Sequence, residues 1–183
     1  FSIYKKLFIP LDDDSKFGMT ISASVEMQCA AELFSTYTPD AVILLGDRYE
    51  ILSVALAAFF AGIPVVHISG GDITEGAVDN VIRHCLTKIS SLHFPGCMDS
   101  AKRIIQMGEQ PNTVFNVGEP GVENCLKTRL MSRQELSTNL GVQFINGNYS
   151  VVTFHSVTME EDTAEEQVCE LIKAMNSFED MSY

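Results

Sequence analysis

Acidic side chains follow two apolar segments of this chain, and glycine separates each acid from its segment. Asp47 follows the first segment and Gly46. Asp72 follows the second segment and the pair Gly70 and Gly71. A carboxylate can accept a proton from a substrate or orient a group beside the reacting bond. Because open α/β sheets bind ligands outside the carboxyl ends of their strands, both aspartates are candidate catalytic residues.

A pair of opposite charges, Asp79 and Arg83, lies four residues apart in a helix that the sequence predicts over residues 77–91. An exposed acid and base at this spacing stabilise a helix by about 0.2 to 0.5 kcal/mol, so a plain surface ion pair is one interpretation. The helix also begins shortly after the Asp72 loop, and the amino end of a helix attracts phosphate. In the second interpretation, Arg83 adds a charge-assisted hydrogen bond to the same anion.

The residues around these acids are typical of a βαβ unit. Residues 42–45 are wholly apolar and predict a buried parallel strand, and residues 63–69 repeat that pattern. Residues 49–61 are rich in alanine and leucine and lack proline, which favours a helix, and Gly62 stands where helices commonly end. We therefore expect an α/β fold with a doubly wound parallel sheet, in which the two strands are adjacent and helices cover both faces.

Further elements are predicted on either side of this unit. In chain order they are an edge strand over 2–9, a helix over 19–37, a strand over 92–94, a helix over 100–107, a strand over 113–117 that ends in the turn 118–121, and helices over 132–140 and 163–175. Ser132 with Glu135, and Thr163 with Glu166, have the spacing of capping boxes for the last two helices.

Residues 141–148 contain several helix and strand breakers, and they predict a linker. The linker divides the chain into most of a first lobe, 1–140, and the start of a second lobe, 149–183. The second lobe opens with a predicted strand over 149–154, which places His155 at the carboxyl end of that strand. A single βα unit cannot bury both faces of its strand, so this part of the chain needs further structure around it.

Composition and charge limit the classes of function. The chain has 183 residues, of which 46% are hydrophobic and 20% are charged, as expected for a globular protein with one sizeable core. Its net charge of −12 disfavours nonspecific binding to nucleic acid. The apolar run 54–63 is too short to cross a bilayer, and no secretory leader pattern opens the chain. We expect a cytoplasmic protein with no membrane or nucleic-acid partner.

Common cofactor and metal motifs are absent from the sequence. Neither GxGxxG nor GxxxxGK[ST] occurs, which argues against a dinucleotide oxidoreductase. The five cysteines form no CxxC or cysteine and histidine pattern at zinc spacing, so we expect reduced, mostly packed thiols and no metal site. We expect no cofactor. The residues alone leave two classes open, an enzyme and a noncatalytic α/β binding or interaction module.

Five segments carry a resemblance to a known family, and they are LLGDRYE (44–50), HISGGDITEGAVDNVIRH (67–84), LTKISSLHF (86–94), VFNVGEPG (114–121) and VTFHSVT (152–158). In this order they are similar to the hydrolysing UDP-N-acetylglucosamine 2-epimerases of sialic and legionaminic acid pathways. The resemblance implies two Rossmann-like lobes, as in GT-B glycosyltransferases, and conversion of UDP-N-acetylglucosamine to N-acetylmannosamine and UDP. It also implies that a first βα unit and most of the second lobe are missing here, and that the full-length protein is a homo-oligomer.

The same resemblance implies roles for individual residues. Proton transfer or substrate orientation is implied for Asp47, Asp72 and Asp79. Contacts to the sugar or the diphosphate are implied for a second group, which is Arg48, Gly70, Gly71, Arg83 and His155. Inverting C2 of a sugar requires removal of a weakly acidic proton while UDP leaves C1, so a carboxylate base and a stabilised diphosphate are both needed. Because half of the cleft is missing, we expect residues 1–183 alone to bind UDP weakly or not at all, and to be inactive.

Two positions depart from the family pattern. Relatives often carry a glutamate, a candidate for proton transfer, where this chain has Ser69, and usually carry proline where it has Ser156. A serine cannot serve as a comparable base unaided, so either Asp72 or an acid elsewhere in the cleft would take over. Ser156 affects the expected loop geometry more than the chemistry.

Several candidates also have a purely structural alternative. Asp47 could be the N-cap of the next helix, because aspartate is favoured there. His67 and His93 are embedded among apolar residues, which indicates satisfied core histidines rather than ligands. Gly70 and Gly71 could serve only to permit a tight turn between strand and helix.

Overall fold

The structure is a computed structural model, and it describes residues 2–10, 12–13, 15–142, 148–156, 163–178 and 181–182. The chain divides into two compact units, Phe1–Glu123 and Asn124–Tyr183, which we call the first unit and the second unit. This division lies before the predicted linker 141–148. Because residues 143–147 of that linker lie outside the described residues, its place between two lobes stays a prediction.

Three short parallel strands form the sheet of the first unit. They are β1 (Val42–Leu45), β2 (Val65–Ile68) and β3 (Leu92–Phe94), in that order across the sheet. The register places Val42 opposite Val65. Apolar side chains dominate the strands, as in other parallel sheets that are covered by helices. The predicted parallel pairing of the first two strands is confirmed.

Helices connect these strands and follow them. They are α1 (Lys16–Thr36) before β1, α2 (Tyr49–Phe60) between β1 and β2, α3 (Val78–Ile89) between β2 and β3, and α4 (Met98–Gln106) after β3. All four predicted helices are present, with ends that differ by a few residues because helix termini fray. Parallel strands need such a crossover, so the order of elements and the direction of the strands agree.

The core of the first unit lies between the sheet and the helices α1 to α3. Ala30 and Phe34 of α1 pack with Ala57 and Ala58 of α2 and with Val65 of β2. The alanines carry little side-chain bulk, which lets the two helices approach each other closely. This packing fixes α2 and thereby the loop between β1 and α2, which carries Asp47.

The two faces of β1 differ in burial. Successive side chains of a strand point to opposite faces. Val42 and Leu44 pack against the core, whereas Ile43 is 68% exposed and Leu45 is 57% exposed. Helices α1 and α2 pack on the side of Val42 and Leu44, so the described residues cover one face of this strand and not both.

One predicted strand, over residues 2–9, is wrong, because these residues form no strand. Their content of apolar and aromatic residues is typical of a strand. Instead, the ring of Tyr4 stacks on the ring of Tyr37 at the end of α1, with 4.7 Å between ring centroids.

The strand predicted over 113–117 is present only as a single parallel bridge between Val114 and His93. The backbone N–H of Phe115 donates to the carbonyl of His93 at 2.9 Å, so the segment still runs beside β3. A 3₁₀ turn, Pro111–Thr113, leads directly into it and shortens the extended part. The carboxyl end of this segment therefore lies at the same edge of the sheet as the ends of the strands.

The second unit contains short elements. They are the second half of α5 (Pro120–Lys127), α6 (Arg133–Leu140), β4 (Asn148–Tyr149), α7 (Ala164–Asn176) and β5 (Met181–Ser182), and β4 pairs in parallel with β5. The capping box of Ser132 and Glu135 is confirmed, with both reciprocal hydrogen bonds present. The box predicted at Thr163 is wrong, because its hydroxyl accepts from the Gln167 side chain at 3.2 Å and makes no capping bond.

Two expectations about composition can be compared with the structure. All five cysteines are free thiols, but only Cys29 is partly buried, so the expected packing of most thiols is wrong. In the part of the chain that the structure describes, no helix is both long and apolar enough to cross a membrane.

Candidate functional site

Arg83 is the centre of a polar cluster where the loops after β1 and β2 meet the start of α3. The residue is only 6% exposed. Its guanidinium donates to the backbone carbonyl of Asp72 at 2.9 Å and to the hydroxyl of Thr74 at 3.1 Å, and it forms an ion pair with the Asp47 carboxylate. One buried cation thus ties the two loops together. The surface ion pair with Asp79, one of the two interpretations from the sequence, is not what Arg83 forms.

The Asp47 carboxylate is held by Arg83 and does not cap α2. The N-cap of α2 is Arg48, and no side chain makes a capping hydrogen bond at this helix end. The side chain of Asp47 is 26% exposed, so a ligand at the edge of the sheet could reach it. The structural alternative for Asp47 is therefore wrong, and its carboxylate is oriented by a fixed cation.

The loop that contains Asp72 is held from two helices. The Asp72 carboxylate accepts a hydrogen bond from the Ser100 hydroxyl in α4, and the Asp72 carbonyl accepts from Arg83 in α3. The preceding carbonyl, that of Gly71, accepts from the Arg103 guanidinium in α4. Side chains from α3 and α4 thus fix the position and the direction of this acid.

Asp79 lies half-buried in the first turn of α3, outside the set of groups that Arg83 binds. A charged side chain near Asp79 is that of Arg48, which is 69% exposed and forms an ion pair with Glu50 at 2.6 Å. The hydrogen bonds and the charge of Glu50 raise the pKa of Arg48, and the charge of Asp79 adds a smaller contribution in the same direction. Arg48 is therefore already paired, and Asp79 is the predicted acid with the fewest structural bonds.

Both glycines of the loop have a packing reason to be glycine. Each is buried. A Cβ at Gly70 would lie 2.7 Å from Nδ1 of His67, and a Cβ at Gly71 would lie 2.4 Å from the carbonyl oxygen of Ser100. Gly71 also has a φ of 84°, which side chains rarely adopt. These contacts support the structural alternative for the pair, while their predicted role in substrate binding stays a prediction.

Gly71→Ala is expected to destabilise the first unit by about 2 to 4 kcal/mol, because a left-handed backbone and a clash with backbone atoms both oppose the new methyl group. Gly62→Ala is the matched control. Gly62 has a φ of 71°, but nothing lies within 4 Å of its added Cβ, so only the strain remains. Urea unfolding measures the free energy of unfolding of both variants. Equal losses of stability would contradict the prediction, because they would show that the loop moves to accommodate the methyl group at position 71 without a further loss of stability.

The two strand histidines, His67 and His93, are buried residues of the sheet. His67 donates from Nε2 to the carbonyl of Gly46 at 2.7 Å, and its Nδ1 has no hydrogen-bond partner among the described residues. His93 Nε2 lies 3.5 Å from a Glu109 carboxylate oxygen. Burial lowers the pKa of both, so both are neutral at pH 7. Their predicted place in the core is confirmed, but the expected hydrogen bonding is not, because among the described residues His67 has a partner at one nitrogen and His93 at neither.

The sequence profile of the family described as UDP-N-acetylglucosamine 2-epimerase matches residues 1–183. The chain belongs to this epimerase family. The polysialic acid biosynthesis protein P7 of Escherichia coli is 41% identical over 97% of this chain and 45% of its own length. The GDP/UDP-N,N'-diacetylbacillosamine 2-epimerase (hydrolyzing) of Campylobacter jejuni is 33% identical, over 100% of this chain and 47% of its own length. The chain thus spans about half the length of these curated relatives.

Solved epimerase structures share the fold of this family member. The Methanocaldococcus jannaschii UDP-GlcNAc 2-epimerase, in complex with UDP-GlcNAc and UDP, matches 87% of this chain and 44% of its own with a TM-score of 0.72. The Neisseria meningitidis enzyme bound to UDP-GlcNAc matches 87% of this chain and 46% of its own with a TM-score of 0.68. At sequence identities of 18% and 20%, these two matches support a shared fold and nothing about function. The predicted α/β, Rossmann-like fold of a GT-B-like protein is confirmed.

His155 belongs to the second unit, and its side chain is exposed. The strand that was predicted to end at His155 stops at Tyr149, so its predicted place at the carboxyl end of a strand is wrong. The apolar residues 150–154 suggested a longer strand, but β4 pairs with β5 over two residues only. The contact between His155 and a substrate stays a prediction.

Four polar residues of this chain, Thr74, Ser100, Arg103 and Glu119, bond to Arg83 or to the loop after β2 and were not singled out from the sequence. Three of them have no local signal, because their partners belong to other elements, 9 to 32 residues away in the chain. Glu119 has one, since it follows an extended segment and a glycine, which is the pattern that marked Asp47 and Asp72. Among the described residues, no group of three or more histidines, cysteines or acids is placed to hold a metal ion.

Proposed function

We propose that the protein of family length that contains this chain is a hydrolysing UDP-N-acetylglucosamine 2-epimerase. It converts UDP-N-acetylglucosamine to N-acetylmannosamine and UDP for the biosynthesis of sialic or legionaminic type sugars. The observation that carries the proposal is the Arg83 cluster, which fixes Asp47 and Asp72 at the ligand-binding edge of the sheet in a chain of this family. Relatives that are named hydrolysing 2-epimerases or polysialic acid biosynthesis proteins support it.

The reaction consists of an elimination and a hydration. A base takes the proton from C2, the electron pair of that C–H bond becomes the C1–C2 double bond, and UDP leaves C1 with the electrons of its C–O bond. Water then adds its hydroxyl group to C1, and C2 receives a proton on the opposite face. The change is one of proton positions and hydration with no net oxidation or reduction, so the proposed reaction uses no redox cofactor.

Each acid has a proposed role that follows from its environment. Asp79 lies outside the Arg83 cluster and is half-buried, so it is the proton-transfer carboxylate. Asp47 and Asp72 are held by Arg83 and Ser100, and they orient the sugar. Fixed acids of this kind raise the rate by positioning a reactant, and they need no change of charge during the reaction.

The diphosphate requires positive charge and backbone amides near the edge of the sheet. Arg48 is exposed beside Asp47 and could turn from Glu50 to a diphosphate. The N-cap of α3, Ala77, provides no side-chain hydrogen bond to the helix, so this helix end remains suited to an anion. Arg83 already makes three bonds to the protein, so its main role in the proposal is to position the loops. We place the protein in the cytoplasm as a homo-oligomer, in line with its family.

The proposal is tested by assaying UDP release and sugar products for two proteins, the family-length protein and residues 1–183 alone. The family-length protein is expected to release UDP and N-acetylmannosamine from UDP-N-acetylglucosamine. Residues 1–183 alone are expected to show weak or no UDP binding in calorimetry and no turnover, because a two-lobed site depends on groups from both sides and on excluded water.

Three outcomes are informative. Turnover by residues 1–183 comparable to that of the longer protein would show that the second lobe is not needed. UDP release from UDP-N,N'-diacetylbacillosamine alone would keep the reaction and correct the substrate. UDP binding by the family-length protein without release from either sugar nucleotide would favour the noncatalytic nucleotide-sugar-binding module.

A further inference from the structure

Glu119 is an acid of the first unit that lies in the segment VFNVGEPG (114–121) but was given no role from the sequence, and the Arg83 cluster does not include it. The hydroxyl of Ser69, directly after β2, faces both oxygens of its carboxylate, at 3.0 Å and 3.2 Å. Ser69 has a φ of 61° and is the one described non-glycine residue with a positive φ. A positive φ is unfavourable for serine. The residue that adopts it here donates its hydroxyl to an acid fifty residues away in the chain.

A second observation concerns the space around this carboxylate. Gly96 follows β3, and a Cβ at this position would lie 2.5 Å from Oε2 of Glu119. A residue with a side chain at position 96 would therefore displace the Glu119 carboxylate. The loops after β2 and β3 thus both accommodate the same acid, one by donating a hydrogen bond and the other by leaving room.

A third observation is a repeated local geometry. Gly46 before Asp47 has a φ of 90°, Gly71 before Asp72 has a φ of 84°, and Gly118 before Glu119 also has a φ of 84°. In each case an extended segment ends, a left-handed glycine turns the chain, and an acid follows at the carboxyl edge of the sheet. Glu119 stands at the end of the segment that bridges to β3, so it occupies the equivalent place one segment further along the same edge.

We propose that Glu119 is a further proton-transfer carboxylate of the epimerase reaction, held in place by the Ser69 hydroxyl. This inference rests on the proposed function. Inversion at C2 needs one group that removes a proton and a second that returns one to the opposite face, so one carboxylate is not sufficient. Glu119, the acceptor of the Ser69 hydrogen bond, takes the C2 proton while the C–H electrons form the C1–C2 double bond and UDP departs with the electrons of its C–O bond. A second acid, Asp79, returns a proton to C2 during hydration.

The proposed role of Glu119 also gives the serine at position 69 a function. A serine cannot remove a weakly acidic C–H proton, but it can orient a carboxylate that does. Ser69 is therefore a positioning residue and Glu119 is the catalytic one. If the pair were only structural, an amide at position 119 would still accept the hydrogen bond of Ser69, and the reaction would continue.

The test uses Glu119→Gln in the family-length protein, with Glu123→Gln as the matched control. Glu123 is an exposed acid in the first turn of α5, the helix that begins directly after Glu119. Glu119→Gln is expected to lower kcat for UDP release by about 100-fold or more, because an amide cannot accept a proton. UDP affinity in calorimetry and Tm should stay close to those of the unaltered protein. Glu123→Gln should leave kcat within about twofold of the unaltered protein, as expected for an acid outside the site.

A rescue experiment separates chemistry from structure. Ser69→Glu in the Glu119→Gln background places a carboxylate at the other end of the same hydrogen bond, and it is expected to restore kcat by about tenfold or more. An unchanged kcat in Glu119→Gln, or a loss of kcat that is matched by lower Tm and weaker UDP binding without rescue, overturns the assignment. If the unaltered protein releases no UDP from either sugar nucleotide, the proposed function is wrong, and the proposed role of Glu119 is wrong as well. If only the predicted effect of Glu119→Gln is missing, the proposed function stands and the role of Glu119 alone is wrong.

Discussion

Asp79→Asn in the family-length protein is expected to lower kcat for N-acetylmannosamine formation by about 10² to 10⁴-fold, which is the usual contribution of a positioned acid or base. Asparagine has nearly the same shape as aspartate but cannot accept or return a proton. Because Asp79 is not bonded to Arg83, the substitution leaves the loops after β1 and β2 in place. Steady-state kinetics should therefore show a lower kcat with a nearly unchanged affinity for UDP.

Asp99→Asn is the matched control for this prediction. Asp99 is also an acid in the first turn of a helix, so both substitutions remove the same favourable interaction with a helix dipole. Its side chain is 81% exposed and pairs with Lys102 on the surface. If Asp79→Asn were no slower than Asp99→Asn, Asp79 would be a structural acid and the proton would be carried by Glu119 or by another group.

The strands and the acids that follow them could be predicted because the signals are local. Residues 42–45 and 65–68 are short apolar runs, and each leads to a glycine and an acid. Such a pattern is imposed by burial and by the turn itself, so it is visible without knowledge of distant contacts. The same reasoning predicted α2 and α3 to within two residues at their ends.

The partners of the acids could not be predicted, because they depend on packing between elements. The spacing of Asp79 and Arg83 suggested a contact within one helix, whereas Arg83 is buried and turns to Asp47, which is 36 residues away. The pair of Ser69 and Glu119 is separated by 50 residues. A helix pattern specifies which face is buried, but the partner of a buried cation depends on where the loops converge in three dimensions.

The failure at residues 2–9 has a related cause. An edge strand is defined by hydrogen bonds to a neighbouring strand, and the residue types of a short segment do not specify whether such a neighbour exists. The segment contacts α1 through Tyr4 and Tyr37 instead of a strand. Short segments of this kind can adopt any conformation that their tertiary contacts favour.

Arg83→Met is expected to destabilise the first unit by about 3 to 5 kcal/mol, the usual cost of removing one member of a buried ion pair. Methionine fills a similar volume but leaves the Asp47 carboxylate, the Asp72 carbonyl and the Thr74 hydroxyl without their donor. Since Asp47 keeps partial access to water, we expect the lower end of this range. Urea unfolding of residues 1–183 measures the loss, and kinetics of the family-length variant should show kcat falling as well, because the loops that carry the acids are released.

Arg48→Met provides the control, because it removes an arginine from the same region whose own side chain is 69% exposed, while its partner Glu50 is 19% exposed. The expected loss of stability is about 0 to 1 kcal/mol, as for other surface ion pairs. Adding Asp47→Asn to Arg83→Met should cost less than Asp47→Asn alone, because the charge that needed a partner is then neutral. A loss for Arg83→Met no larger than that for Arg48→Met would show that water replaces the guanidinium without cost. In that case Arg83 would be free to serve as the diphosphate contact that the family resemblance implies.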